Sequence, residues 1–428
     1  GLLYVPAEVT QINDNAFNEC KKLTTIKFAS SSVLSSIGQM SFKNSNLKAI
    51  SLPVSVISIG QQAFHTCYQL ANVTIPNESE LTTISKQAFV AVGIKFLNIP
   101  KKVNDIGHAA FTSCTSMTSV IFRGNIITSL KYAIFQSSGL KTITIPSSVE
   151  SIGMSVFHDC KQLQSVSFSN NNVLKTIGVK AFYESAVKTI YLPSSVTIIE
   201  ESAFYGCISM TTIVIRNDSL LESIGDYSFE KTAISDIVIP SNVSTIGQYC
   251  FHKCSKLNTI SFSCASSVNI ASNAFDGTAV TSLSLPPDAS YEGNVNIKRL
   301  SCCKIGTYSV TGKFEVIGGC TSCLPGYTTV TAGTIGTDQS VCSVCAQGYY
   351  SSNGKASGLL TGCTSCEPGK STETFGAKSF DKCVVCAQGY YSTSGSVISG
   401  TSTKCTECFK GYSTAATATA GTSAGACG

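Results

Sequence analysis

Two residue types in this 428-residue sequence have a spacing that could do chemistry, cysteine and histidine. C-x-x-C pairs recur at Cys320/Cys323, Cys342/Cys345, Cys363/Cys366, Cys383/Cys386 and Cys405/Cys408, and Cys427 begins a sixth. Thiols three residues apart can bind zinc, cycle between dithiol and disulfide, or staple a chain. The distance between successive pairs also matches a zinc ribbon. Tandem pairs without histidine, in a segment holding 13 of the 21 cysteines, favour structural disulfides. No β-α-β pattern surrounds a pair, which argues against thioredoxin-like exchange. A second series is Cys20, Cys67, Cys114, Cys160, Cys207 and Cys254, each three residues after a recurring Phe. His65, His158 and His252 follow that Phe by one residue, and His108 follows a repeated Gly, Gly107. An active site needs unlike residues converging on one point. These histidines are copies of outward repeat positions. No phosphate loop, dinucleotide fingerprint or nucleophile elbow is present. The expectation is a protein without enzymatic activity, cofactor or metal.

The elements that position these residues are repeats. Phe recurs at 17, 42, 64, 89, 111, 135, 157, 182, 204, 229, 251 and 275, at alternating spacings of 24–25 and 22. Residues 140–168 show the grammar. Leu140, Ile143 and Ile145 form one inward stripe of a strand, and Pro146 ends it. Val149 and Ile152 turn inward again, and Gly153 suits positive φ or close backbone approach. Phe157 then anchors a short helical turn. Such a unit cannot bury its stripe alone, so the units stack. The expected fold is an α/β-type repeat solenoid of about 12 coils with a parallel sheet on one face. Coils about 4.8 Å apart put successive members of the Cys20 series about 10 Å apart, beyond disulfide reach. These six are expected to be buried free thiols.

The pattern in 145–153 (IPSSVESIG), Ala16-Phe17 and Cys20 to Phe28 resembles the BspA-like, Treponema-type leucine-rich repeats. The resemblance spans residues 1–286. It implies a surface protein concerned with adhesion and binding.

In L-x-x-I-x-I the x positions face away from the core. Most are Thr, Ser or Asn, a hydroxyl-rich surface that suits strands as such. Phe96, Ile121, Tyr191, Val214 and Val238 interrupt it and form the candidate interaction face, for a protein or glycan ligand. The repeat is already in phase at Gly1, so Leu3 and Val5 are expected in a subunit contact, head to tail with another copy. The segment 287–318 is expected to be a junction, with a capping hairpin over 295–317 around Thr311-Gly312.

Residues 319–428 resemble ephrin-receptor-like and growth-factor-receptor-type cysteine repeats, and the C-x-x-C coats of protist surface antigens. They are read as a small-disulfide-rich, elongated β/coil stalk. A local scheme pairs Cys323–Cys342, Cys345–Cys363, Cys366–Cys383, Cys386–Cys405 and Cys408–Cys427. It leaves Cys320 to Cys302 or Cys303, and the remaining one to Cys264 or Cys250. A rival scheme pairs first with first and second with second across neighbouring units.

The net charge of +5 is balanced and spread, which excludes a nucleic-acid footprint, and no apolar run is long enough to span a bilayer. Any membrane anchorage lies in segments outside this chain. The cysteine-rich tail and the sequons at Asn72, Asn77, Asn217 and Asn242 point to an oxidising, extracellular compartment, secreted or at the cell surface. The leading expectation is adhesion or recognition by a leucine-rich repeat head on a stalk. The alternative is a structural subunit of a self-assembling extracellular filament or coat.

Overall fold

The computed structural model describes residues 1–298 apart from 217, 263–266 and 287, and beyond them the backbone of short strands between Arg299 and Glu407. The chain divides into two units. One comprises Gly1–Phe262, Ser266–Ser284 and Asp288–Lys298; the other is mainly Arg299–Gly428.

The first unit is a β-solenoid. Each coil places one strand on the open face, from Leu2–Val5 and Thr25–Phe28 through Thr142–Ile145, Ser165–Phe168, Thr189–Tyr191 and Thr212–Val214 to Ser282–Leu285. A two-residue strand follows in each coil and forms a second parallel sheet, which runs from Gln11–Ile12 to Asp105–Ile106 and again from Ser129–Leu130 to Ser290–Tyr291. Neighbouring coils are in register, with Ile143 opposite Val166 and Ile190 opposite Ile213. Because side chains alternate along a strand, one register buries the whole apolar stripe.

The Phe series forms the spine. Phe42 through Phe251 are fully buried, and successive rings stack at 5.1–5.8 Å. Tyr291 ends the row, tilted by 59° against Phe275 at 5.6 Å.

The turn around each Phe is not helical, and no helix occurs among the described residues. This corrects the expected helical turn and the α/β label. From Phe17 to Phe251 the residues two before and two after each Phe have φ near +55°, as in Ser155 and Asp159. Their N–H groups, and that of the Phe, donate to the next coil: Ser155 to Val179 O, Phe157 to Ala181 O and Asp159 to Tyr183 O, at 2.9, 2.7 and 2.8 Å. An N–H committed to the neighbouring coil cannot close an i→i−4 bond. A left-handed residue costs about 1–2 kcal/mol, which the added ladder offsets.

Gly153 answers to close approach: a Cβ there would stand 2.7 Å from Leu130 O, and its φ is not positive.

The thiols fill a gap in this ladder. Cys67, Cys114, Cys160, Cys207 and Cys254 are buried and free, and Cys20 is free and half-buried. Each of the five donates to the carbonyl of the preceding coil's Phe, as Cys160 Sγ does to Phe135 O at 3.1 Å. Ser45, Ser138, Ser185 and Thr232 of the intervening coils stand 3.2–3.5 Å from the next thiol. Cys250 is also buried and free, 3.3 Å from Ser228 Oγ. It is a core residue, not the partner that one pairing scheme assigned to it.

Of the hairpin expected over 295–317, the turn at Thr311-Gly312 and the strand after it lie outside the described residues, and the described strands pair with other segments. Asn296–Arg299 pairs with Ser282–Leu285, and Thr307–Tyr308 pairs antiparallel with Thr321–Ser322. The first of these pairings uses the solenoid's last face strand, whose edge offers a ready ladder.

In the second unit the antiparallel pairing repeats. Tyr327–Thr328 pairs with Val344–Cys345, Tyr349–Tyr350 with Thr364–Ser365, Lys370–Ser371 with Val385–Cys386, and Tyr390–Ser392 with Cys405–Glu407. Every second strand of a pair lies within a C-x-x-C segment. The side chains of Cys302, Cys303, Cys320 and the later cysteines, with Cys264, lie outside the described residues, as does every pairing among them.

Candidate recognition face

Phe96 and Tyr191 are about two-thirds exposed, at 67% and 66%; Ile121 and Val238 are exposed and Val214 is half-buried. They do not form one patch. Phe96 and Ile121 lie on neighbouring strands. Tyr191 and Val214 are register partners three and four coils beyond Ile121, and Val238 is one coil farther still. Hydroxyls lie between them, among them Thr144 and Ser167, whose oxygens are 3.0 Å apart. In the first strand Val5 is buried in its own coil and Leu3 is half-buried, whereas Leu2 and Tyr4 face outward. Asn72, Asn77 and Asn242 are exposed; Asn217 lies outside the described residues.

Around Tyr191 the face deepens into a groove of about 870 Å³. Its floor is Ser165, Ser167, Thr189 and Tyr191, with Lys188 at one end and Arg216 at the other. The loop after Phe168 forms a wall. Asn171 takes φ +54°, a conformation that Asn tolerates, and this turns the loop outward. Asn172 anchors it, accepting from Leu174 N at 2.8 Å and donating to Pro146 O at 3.2 Å. Asn170 and Asn171 remain exposed. Arg216 Nε donates to Asp218 Oδ1 at 3.0 Å, and Ser194 Oγ donates to the same oxygen at 2.9 Å. These two bonds, Arg216 first, hold the Asp218 carboxyl below its ordinary range.

Sequence reasoning named Tyr191 but missed Lys188, Arg216 and Asn170–Asn172. The signal was the alternation of coil lengths. The longer coils spend their extra residues after the face strand, at 169–172 and 216–219, so two loops rise on either side of the short turn at 192–195.

The turn side carries a second cluster that sequence reasoning passed over. Tyr183 and Tyr205 stack at 4.6 Å, and Lys231 lies over the Tyr205 ring at 4.6 Å. His252 Nδ1 is 3.2 Å from Oε1 of the buried Glu230. Of the histidines expected to point outward, His65, His158 and His252 are partly sheltered and His108 is exposed. Burial lowers the pKa of His65, with the Lys43 charge adding to it, and burial lowers that of His158. Burial pushes the thiols up, Cys114 and Cys207 to about 12 and Cys160 and Cys254 to about 11.

The profile of the BspA type leucine-rich repeat region matches in six copies, over residues 3–118, 82–191 and 175–295. The chain belongs to the BspA-type leucine-rich repeat family. A leucine-rich repeat protein from Bacteroides ovatus is 26% identical over 70% of this chain and 92% of its own, with a TM-score of 0.47. The pneumococcal vaccine antigen PcpA is 21% identical over 70% and 78%, TM-score 0.41. A leucine-rich cell surface protein from Faecalibacterium prausnitzii is 24% identical over 68% and 79%, TM-score 0.37. A comparison with curated proteins finds no match.

Proposed function

We propose that this BspA-type solenoid is a non-enzymatic recognition module that works outside the cell and binds its ligand on the open sheet face. The observation that carries the reading is the groove at Tyr191. It joins an uncovered aromatic ring to hydroxyl, amide and guanidinium groups on a rigid strand platform. Ligand sites of this kind combine an apolar surface with a few placed polar groups. The extracellular setting is supported by the cysteine-dense tail and the exposed sequons at Asn72, Asn77 and Asn242. In this reading the cysteines of the tail form structural disulfides in that setting.

The test is an array of extracellular-matrix glycans and proteins, probed with the full chain and with Tyr191→Ala. At least one ligand should bind and lose about tenfold or more in affinity in the variant. Binding untouched by Tyr191→Ala would move the site elsewhere. Ordered assemblies formed without any ligand, with no array signal, would favour the filament subunit instead.

A further inference from the structure

The open face carries a periodic charge that its groove does not explain. The position just before each face strand is filled in turn by Thr24, Lys48, Ala71, Lys95, Thr118, Lys141, Gln164, Lys188, Thr211, Ser235 and Asn258. Lysine thus occupies every second coil, four times in succession. Backbone bonds hold this column rigid: Thr118 N to Lys95 O, Lys141 N to Thr118 O, Gln164 N to Lys141 O and Lys188 N to Gln164 O, at 2.9, 3.1, 2.9 and 3.2 Å. All four lysines are exposed, and among the described residues none of them joins an ion pair. Elsewhere on the solenoid Lys101, Lys102, Lys131, Lys161 and Lys175 each have a carboxylate partner. The neighbouring face positions from Thr25 to Ser261 add Lys27 and one acid, Asp236, which lies beyond the last lysine of the column and accepts from Ser235 Oγ at 2.7 Å.

Two coils separate successive lysines by about 10 Å. That spacing is too sparse for a nucleic-acid strand, with a phosphate about every 3.4 Å. Nor does the column carry the run of aromatic rings that stacks bases. It is of the order of the disaccharide repeat in a linear polysaccharide. Between the lysines lie Thr and Ser hydroxyls suited to sugar hydroxyls, and at the Lys188 end Tyr191 offers a ring face to a pyranose. We propose that the column Lys48, Lys95, Lys141 and Lys188 is a track for a linear polysaccharide carrying one carboxylate per disaccharide, with the Tyr191 groove as its terminal subsite. The proposal rests on the reading of this face as the recognition surface and names its ligand class.

The test is fluorescence polarisation of the full chain with end-labelled hyaluronan, carboxyl-reduced hyaluronan, heparin and a single-stranded DNA of matched charge. Hyaluronan should bind with an affinity that falls as salt screens the lysines, and its carboxyl-reduced form should not bind. The quadruple variant Lys48→Gln, Lys95→Gln, Lys141→Gln, Lys188→Gln should weaken hyaluronan at least about 100-fold. Each single change should weaken binding on its own, and the difference should shrink as salt screens the pairs. A control with Lys43, Lys86, Lys180 and Lys253 changed to Gln removes the same charge from the turn side and should leave binding within about threefold. Circular dichroism should be the same for both variants.

Equal losses in the two quadruple variants would reduce the effect to net charge and overturn the track. Equal binding of carboxyl-reduced hyaluronan, binding of heparin without hyaluronan, or preference for the DNA would each overturn the ligand class. If Tyr191→Ala abolishes binding of an array ligand that the column variant still binds, the recognition face stands and the polysaccharide track falls.

Discussion

Phe157 is fully buried, with its ring centroid 5.8 Å from Phe135 and 5.1 Å from Phe182. Truncation to Ala removes a side chain that buries about 150 Å² or more. At about 25 cal/mol per Å² this is roughly 4 kcal/mol of transfer free energy. The neighbouring rings are fixed by their own inter-coil ladders, so the void closes poorly, and measured Phe→Ala changes in cores span about 3–5 kcal/mol. Two ring contacts are lost together, which puts this site in the upper part of that span. His158→Ala is the matched control one residue on. That ring is half-buried, rests on Tyr183 at 4.9 Å and meets Gln136 at 3.2 Å. Its loss should cost under about 1 kcal/mol. Urea unfolding followed by far-ultraviolet circular dichroism reads both as midpoint shifts. Local hydrogen exchange should show the weakening centred on the coils of Phe135, Phe157 and Phe182. Equal midpoints for the two variants would refute the inward spine as the source of stability.

Alkaline pH should destabilise the solenoid through its thiols. Their folded pKa values lie above the ordinary 9.0, so the stability they contribute is complete below pH 9 and is lost as pH rises toward about 12. Cys114→Ala should flatten that limb by up to about 1.4 kcal/mol per pH unit, read from urea midpoints between pH 8 and 10.5. Alkylation at neutral pH, mapped by mass spectrometry, should label Cys20 before Cys114, Cys160 or Cys207; equal rates would contradict their burial. Gly153→Ala brings a Cβ to 2.7 Å from Leu130 O and should cost about 1–3 kcal/mol in the same unfolding assay. Mild reductant should loosen residues 320–428 while the sheet signal of the solenoid persists, and chelators should change nothing; joint collapse, or metal release, would count against structural disulfides.

The coil count, the inward stripes and the Phe spine were legible because each depends on a local period. Leu140, Ile143, Ile145 and Phe157 declare themselves by spacing alone. The free thiols were legible for a related reason: the repeat sets the coil separation, and that separation forbids a bridge between alternate coils. The turn conformation was not legible. Ser155, Phe157 and Asp159 fit a helical turn locally, and only the carbonyls of Val179, Ala181 and Tyr183, more than 20 residues away in sequence, draw their N–H groups outward. The groove needed the same long-range information. Tyr191 was visible as an aromatic in an outward column. Its walls come from 169–172 and from Arg216, which become neighbours only when three coils are stacked. The pairing of Ser138 with Cys160 is likewise a contact between coils. Local periodicity thus determined what is inside and what is outside. The tertiary structure decided which separate segments meet, because hydrogen bonds and loops that cross between coils have no signature within one.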